Sequence, residues 1–507
     1  MRKTYSIILL LSFIVLYINV SCNNARDFSL KEGRELARIH CASCHQFPDP
    51  SLLDKKTWVG TVLPQMAELM YVDLYYNPYS TSGPEGDKDP KRVTPENLFP
   101  YAKWKKIYDY YLAAAPDKAI ERQSELPDIT TGLKIFATHL IAYKFKNPIT
   151  TFVQVDTGSK SLSFADADAG KLFILNQYLK IIDSVNVPKG VVAMRHSEKG
   201  MEVLSMGILS PSDVKVGKLS LITKNKKDIT ILDSLQRPVH IIYEDLNNDG
   251  KQDIVMSEFG FRHGALCWYE NTDDNKYSKH VLRSLPGAMF TEVYDFNLDG
   301  KPDIIAQMAQ ADEGVFIYYN EGGGKFREEM VAQFPPVYGS SYFQLFDYNK
   351  DGFMDFITTN GDNADYSISL KAYHGIRIFL NNGKNKFEQK FFLPVNGIQK
   401  AIPADFDNDG DIDIVSIAFF PDYRNKPEES FIYWENKGDN SYNRYTFAEA
   451  NDGRWMTMDV GDMDSDGDKD IILGSASYSF GNVMQQYIDK WNKRPVSVVI
   501  LENTLKK

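Results

Sequence analysis

Hydrophobic and polar positions fall into three regimes along the 507 residues. At the start, an apolar run from Ile7 to Ile18, broken only by Ser12 and Tyr17, follows Arg2 and Lys3. It is shorter than the roughly 20 residues that span a bilayer, and its layout is that of an export signal. Between residues 28 and about 116 the apolar positions keep helical spacing. Leu30, Leu36 and Ile39 share one face of a predicted first helix, and Trp104 to Leu112 reads as an amphipathic closing helix that ends before Pro116. From residue 150 to 507 the pattern changes to short β-rich runs separated by acidic, glycine-containing loops.

Those loops repeat. Five segments share D-x-[DN]-x-D-G-x-x-D followed by aliphatic residues, and they begin at Asp245, Asp295, Asp347, Asp405 and Asp462. The starts are 50, 52, 58 and 57 residues apart, a period of propeller-blade length. A second element recurs after each loop: a β-rich run closed by an asparagine, at Asn271, Asn320, Asn381, Asn436 and Asn503. Two weaker copies precede the five, around Phe164 to Leu175 and around Gly207 to Ile222. Two plus five predicts seven blades. The last copy stops at Lys507 without its closing strand, and the lone β-like segment Thr150 to Val155 is expected to pair with it, leaving no open edge. Residues 117–149 are expected to link the helical region to the propeller as a packing segment, since Leu133, Ile135, Phe136 and Leu140 are not linker-like.

Composition narrows the function. Hydrophobic residues at 43% support packed cores, and a formal net charge of -11 removes the electrostatic basis for general nucleic-acid binding. Each of the four cysteines has a local reading. Cys267 lies in an apolar β run and is expected to be a buried thiol. Cys41, Cys44 and His45 form C-x-x-C-H, in which two thiols three residues apart on one turn can bond the two vinyl groups of one porphyrin and the next side chain reaches the iron. No second C-x-x-C completes a zinc site. His240, and the pair Arg262 and His263, flank one repeat region, with Arg262 and His263 the candidates to face a channel. No acid, base and nucleophile set has motif support, and neither a phosphate-binding glycine loop nor a nucleophile elbow occurs.

Three resemblances follow from these residues. Val20, Ser21 and Cys22 at the end of the apolar run resemble a bacterial lipobox, which implies a signal peptide over 1–21, a lipid on Cys22, a tether over 22–27 and an exported protein anchored by lipid alone. The alternative is an ordinary secretory peptide. Residues 28–116 resemble class I cytochromes c, an all-α fold. That resemblance implies one covalent haem c on Cys41 and Cys44, with His45 as proximal ligand and Met66, which follows Leu63 and Pro64, as distal ligand. Met70, or an open or histidine-ligated iron, remains the alternative. Residues 75–99, rich in Pro, Gly, Ser and charge, read as an exposed insertion in that domain.

The five loops resemble the FG-GAP or VCBS repeats of integrin-type propellers, and chemically the first part of an EF-hand. Oxygens at loop positions 1, 3, 5 and 9, with a backbone carbonyl at 7, suit a hard cation, and glycine at 6 permits the turn. Up to five Ca²⁺ are therefore expected. The ligand sets are Asp245, Asn247, Asp249 and Asp253; Asp295, Asn297, Asp299 and Asp303; Asp347, Asn349, Asp351 and Asp355; Asp405, Asp407, Asp409 and Asp413; and Asp462, Asp464, Asp466 and Asp470. The sequence thus reads as a small all-α cytochrome c domain followed by an all-β propeller over 150–507. Three functions fit it: an electron carrier whose propeller docks a redox partner or ligand, a propeller oxidoreductase passing electrons from a small molecule or sugar to its own haem, and a surface adhesion or glycan-binding module.

Overall fold

The structure, a computed structural model, describes residues 28–72, 99–120, 122, 126–141, 145–273, 276–362, 369–477 and 483–506. The expected signal segment, Cys22 and most of the expected insertion lie outside the described residues. The chain divides into two compact units, Met1–Glu121 and Arg122–Lys507. Among the described residues no helix is long and apolar enough to cross a membrane.

The first unit is small and helical. A helix over 28–40, here α1, runs into a 3-10 turn at Cys41–Ser43. A second helical stretch begins at Lys55–Thr57, where the Asp54 carboxylate accepts from the Thr57 amide at 2.9 Å, and continues to Leu63–Leu69 (α2). The third helix, α3, is Tyr101–Ala114. Helices α1 and α3 meet backbone to backbone at Gly33, where any Cβ would collide with the Lys106 carbonyl. Lys106 also pairs with Glu32 at 2.5 Å beside that crossing. Trp58 and Tyr111 pack ring on ring with centroids 4.5 Å apart. Each donates to a loop carbonyl, Trp58 Nε1 to Pro50 and Tyr111 Oη to Pro48, so the buried polar atoms of both rings are satisfied. Val72, just after α2, and Phe99, just before α3, form a parallel bridge.

The second unit is a ring of seven sheets, six of four antiparallel strands and one of five. Blades 1 to 6 are continuous in sequence, over 150–186, 191–235, 238–283, 288–333, 340–394 and 398–446. In every blade but the second, the second strand is buried along its whole length, as in Asp303–Met308 and Asp413–Ala418. Such strands pack between neighbouring blades on both faces, which is why they read as near-continuous aliphatic runs. Outer strands such as Lys276–Arg283 alternate toward solvent. The apolar clusters lie between consecutive blades: Leu246, Trp268 and Phe316 join blades 3 and 4, and Phe343, Phe356 and Val315 join blades 4 and 5.

Seven blades form, as two weak and five strong copies predict, but the ring closes with a different strand from the one expected. Thr150–Asp156 is the innermost strand of blade 1 and pairs with Ser161–Asp166. The closing strand is Phe136–Leu140, inside the segment expected as a linker. It pairs antiparallel with Val498–Asn503 in register Phe136 with Asn503 and Leu140 with Val499. Phe136 anchors it, with its ring 5.9 Å from Phe406 and 5.6 Å from Tyr433. Ile129–Thr131 adds a fifth strand to blade 6, parallel to Tyr442–Thr446. The propeller therefore begins near Arg122. A chain starting at Arg122 is expected to fold as a monomer, whereas one starting at Thr150 leaves Val498–Asn503 as an open edge. Size-exclusion chromatography and urea melts of the two chains check this, with the shorter expected to aggregate or to lose about 3 kcal/mol or more.

Glu313 joins blades 4 and 5. Its Oε1 accepts from the Ser340 amide at 2.8 Å and the Ser340 hydroxyl at 2.7 Å, while Oε2 is buried without a partner. Burial pushes the carboxyl up to about 7, against the opposing effect of the Ser340 bonds. The folded state thus holds a proton more tightly than the unfolded chain, whose glutamates titrate near about 4.3. Stability should accordingly fall as pH rises between those values. Glu313→Gln is expected to remove much of that fall, of order 2 kcal/mol between pH 5 and pH 8, in denaturant melts of the two proteins.

Candidate functional site

Helix α1 delivers the C-x-x-C-H turn of the first unit. Cys41 is partly buried, Cys44 is exposed, and both thiols are free. Burial, with Cys44 adding to it, pushes the Cys41 thiol up to about 12. That is opposite to the lowered pKa of a redox-active dithiol. His45 is half-buried, and its Nδ1 lies 2.8 Å from the Gln46 carbonyl. Because a carbonyl only accepts, Nδ1 carries the proton and Nε2 keeps its lone pair for a metal, the tautomer that metal-bound histidines hold. Met66 sits half-buried on α2 and Met70 caps that helix. Ile39, Leu69 and Tyr71 leave large apolar surfaces exposed in this unit, 63%, 52% and 44%. Thiols, imidazole tautomer and uncovered apolar surface together fit a haem.

The acidic loops of the second unit join first to second strand in blades 3 to 7, and their backbones repeat one another. Position 4 is left-handed in all five, at Asn248, Leu298, Lys350, Asn408 and Ser465, with φ between 56° and 64°. The position-6 glycines have φ between 80° and 98°, conformations that cost any other residue. Each of these glycines donates to the first aspartate of its loop, from 2.8 Å for Gly250 to Asp245 up to 3.1 Å for Gly467 to Asp462. Carboxylate oxygens therefore gather at the loop centre. Asp405, Asp407 and Asp409, and likewise Asp462, Asp464 and Asp470, bring theirs within 4.8 Å of one another. The first three loops carry asparagine at position 3, supplying an amide oxygen instead. In the fourth blade's loop Lys301 pairs with Asp299 at 2.9 Å.

Sequence spacing alone does not reveal the second task of the position-9 aspartates. One oxygen of Asp303 accepts from the Phe296 amide at 3.0 Å and the other from the Asn320 amide at 2.7 Å. Asp253, Asp355, Asp413 and Asp470 bind the corresponding amides in the same way. Each loop is thereby tied to the third strand of its own blade. At two of the five recurrent asparagines the tie runs on to the preceding blade: Asn320 Nδ2 donates to the Leu246 carbonyl of blade 3, and Asn503 Nδ2 to Phe406 of blade 6. Burial, more than neighbouring charge, pushes Asp413 and Asp470 up to about 7 in the absence of a cation. The asparagine that closes every β-rich run was the visible trace of this network.

Of the histidines singled out in the sequence, His240 lines the central channel, while Arg262 and His263 hold the Asp213 carboxylate through their backbone amides at the surface. Cys267 is fully buried, with its thiol pushed up to about 12 by burial.

The fold and these loops define a seven-bladed β-propeller with a repeated acidic loop in five of its blades. More particularly, its blades match the FG-GAP-like repeat family over residues 245–306, 295–358, 359–416 and 405–473. Integrin alpha-PS3 of Drosophila melanogaster is 28% identical over 161 residues, covering 27% of this chain, and the match spans 14% of that protein's length. Among solved structures, a streptogramin B lyase overlaps 73% of this chain and 98% of its own, at 13% identity and a TM-score of 0.46. The virginiamycin B lyase from Staphylococcus aureus overlaps 72% and 99%, at 13% identity and 0.45.

Proposed function

We propose that this chain is an exported electron-transfer protein in which a haem c, bonded to Cys41 and Cys44 and ligated by His45, is joined to a calcium-stabilised propeller that docks a redox partner. The observation that carries this reading is the C-x-x-C-H turn, whose thiols are both free and whose histidine has its Nδ1 proton committed to the Gln46 carbonyl. Such a haem supplies one-electron exchange between Fe(III) and Fe(II). What the chain contributes is position. The close crossing at Gly33 fixes α1 against α3 and so holds the Cys41–Ser43 turn at the end of a rigid helix. The Gln46 carbonyl orients the His45 ring.

Met66 is proposed as the distal ligand, a soft thioether that favours the reduced state and raises the potential. Met66→Leu is expected to abolish the sulfur-to-iron absorption of the oxidised protein and to lower its potential, while Met70→Leu leaves both unchanged. Optical redox titration of the two variants checks this. The reverse result would move the ligand to Met70.

The propeller is proposed to hold up to five Ca²⁺, whose ten positive charges offset clustered carboxylates in a chain of formal charge -11. Export and a lipid on Cys22 complete the proposal, and place the haem in the compartment where C-x-x-C-H proteins receive it. Mass spectrometry of the mature N-terminus from a bacterial host tests the lipid directly.

A further inference from the structure

The first strands of the seven blades enclose a cavity of about 730 Å³. Its mouth is lined by Phe259, Phe261, Phe419 and Phe420, from loops that join second to third strands, so it opens on the face opposite the acidic loops. His240, Phe290, Tyr342 and Lys400 stand at one level of four successive first strands. Their side chains form a continuous arc. The His240 and Phe290 ring centroids are 5.2 Å apart, those of Phe290 and Tyr342 are 4.9 Å apart, and Lys400 Nζ lies 4.7 Å from the Tyr342 centroid.

Two donors in this arc have no protein acceptor among the described residues. His240 Nδ1 lies 3.3 Å from the Thr291 amide, which can only donate, and 3.2 Å from the Thr291 hydroxyl, which can donate to the same lone pair. The neutral ring therefore carries its proton on Nε2, which makes no hydrogen bond to the chain. Lys400 Nζ has no hydrogen-bond or ion-pair partner either, only the face of Tyr342. Asp459, the acid whose charge acts on Lys400, lies outside ion-pair distance and accepts from the Val155 amide at 2.8 Å. Glu292 is likewise engaged with the Leu345 amide of the next blade at 2.8 Å. The two acids thus work as ties between blades and leave the ammonium without a paired anion. Burial holds His240 down at about 4, and the Lys400 charge adds to that effect, so the two groups act on the same space. A lysine ammonium in such a channel is costly unless an acceptor meets it.

We propose that the channel binds a small organic carboxylate, its carboxylate received by Lys400 Nζ and His240 Nε2 and its apolar body by Phe290 and Tyr342. The inference stands on the second unit alone and does not depend on the haem. It is tested on the full chain with calcium by calorimetric titration of benzoate, hexanoate, benzyl alcohol and benzylamine. The carboxylates are expected to bind at least about tenfold more tightly than the alcohol or the amine, as a charge-assisted bond gives. Lys400→Met is expected to erase that preference with an unchanged melting temperature, and His240→Gln to weaken it. Protection of Lys400 in the unaltered chain gives a second readout: benzoate should slow its acetylation, mapped by peptide mass spectrometry, without slowing that of surface lysines. Equal binding of alcohol, amine and carboxylate, absence of carboxylate binding, a Lys400→Met protein that still prefers benzoate, or no protection of Lys400 would each overturn the proposal.

Discussion

Removing calcium is expected to lower the melting temperature of the propeller by about 10 °C or more. A cation at a hundredfold excess over its dissociation constant adds about 2.7 kcal/mol per site, so five sites give of order 10 kcal/mol, and a unit of this size converts that to a shift of about 10 °C. The sign follows from the loops. Without a cation, Asp405, Asp407 and Asp409 hold their oxygens within 4.8 Å of one another, and so do Asp462, Asp464 and Asp470. Asp413 and Asp470 are pushed up to about 7 by burial, so near neutral pH the empty loops carry charge they do not readily accommodate. Calorimetric melts with calcium and with excess chelator check the size of the effect. Magnesium should restore little of it, since it demands tighter octahedral geometry than a flexible nine-residue loop offers. Asp462→Ala should remove about one site's share.

Replacing Cys41 and Cys44 together by alanine is expected to abolish covalent haem in protein matured in a haem-c-competent host. His45→Ala is expected to leave the thioethers formed but the iron without its proximal nitrogen, with a lowered absorbance and a large change in potential. Denaturing gels stained for haem and intact mass separate the two cases. The propeller melt should be unchanged in both variants, because the substitutions fall in the first compact unit. A coincident loss of propeller stability would mean that the turn has a structural task in addition to the proposed one.

The architecture was legible where local chemistry repeats. Five loops fix φ > 0 at positions 4 and 6 with the same side-chain ladder, so their residue types recur and the blade period can be counted. Blades 1 and 2 lack the acidic loop and were visible only as β-rich pairs. The closing strand was missed because Phe136–Leu140 is five residues long, carries polar Thr138 and His139, and finds its partner more than 350 positions away at Val498–Asn503. Nothing local distinguishes such a strand from a packed linker; only the missing fourth strand of the last blade signals that one is needed. The position-9 aspartates were legible as acidic residues but not as ties, since the amides they bind come from the third strand. Channel residues were least legible of all. Lys400, Glu292 and Asp459 are the single charged positions of their first strands, and converge only when the ring closes.

The electron-transfer reading is tested most directly by an anaerobic optical spectrum of the full chain, matured with haem and supplied with calcium, before and after a reduced electron donor is added. One covalent haem per chain that is reduced by the donor, and returned to the ferric state by a chemical oxidant without loss of the bound group, is the predicted result. A mature protein that carries no haem on Cys41 and Cys44, or one whose haem does not cycle, would contradict it.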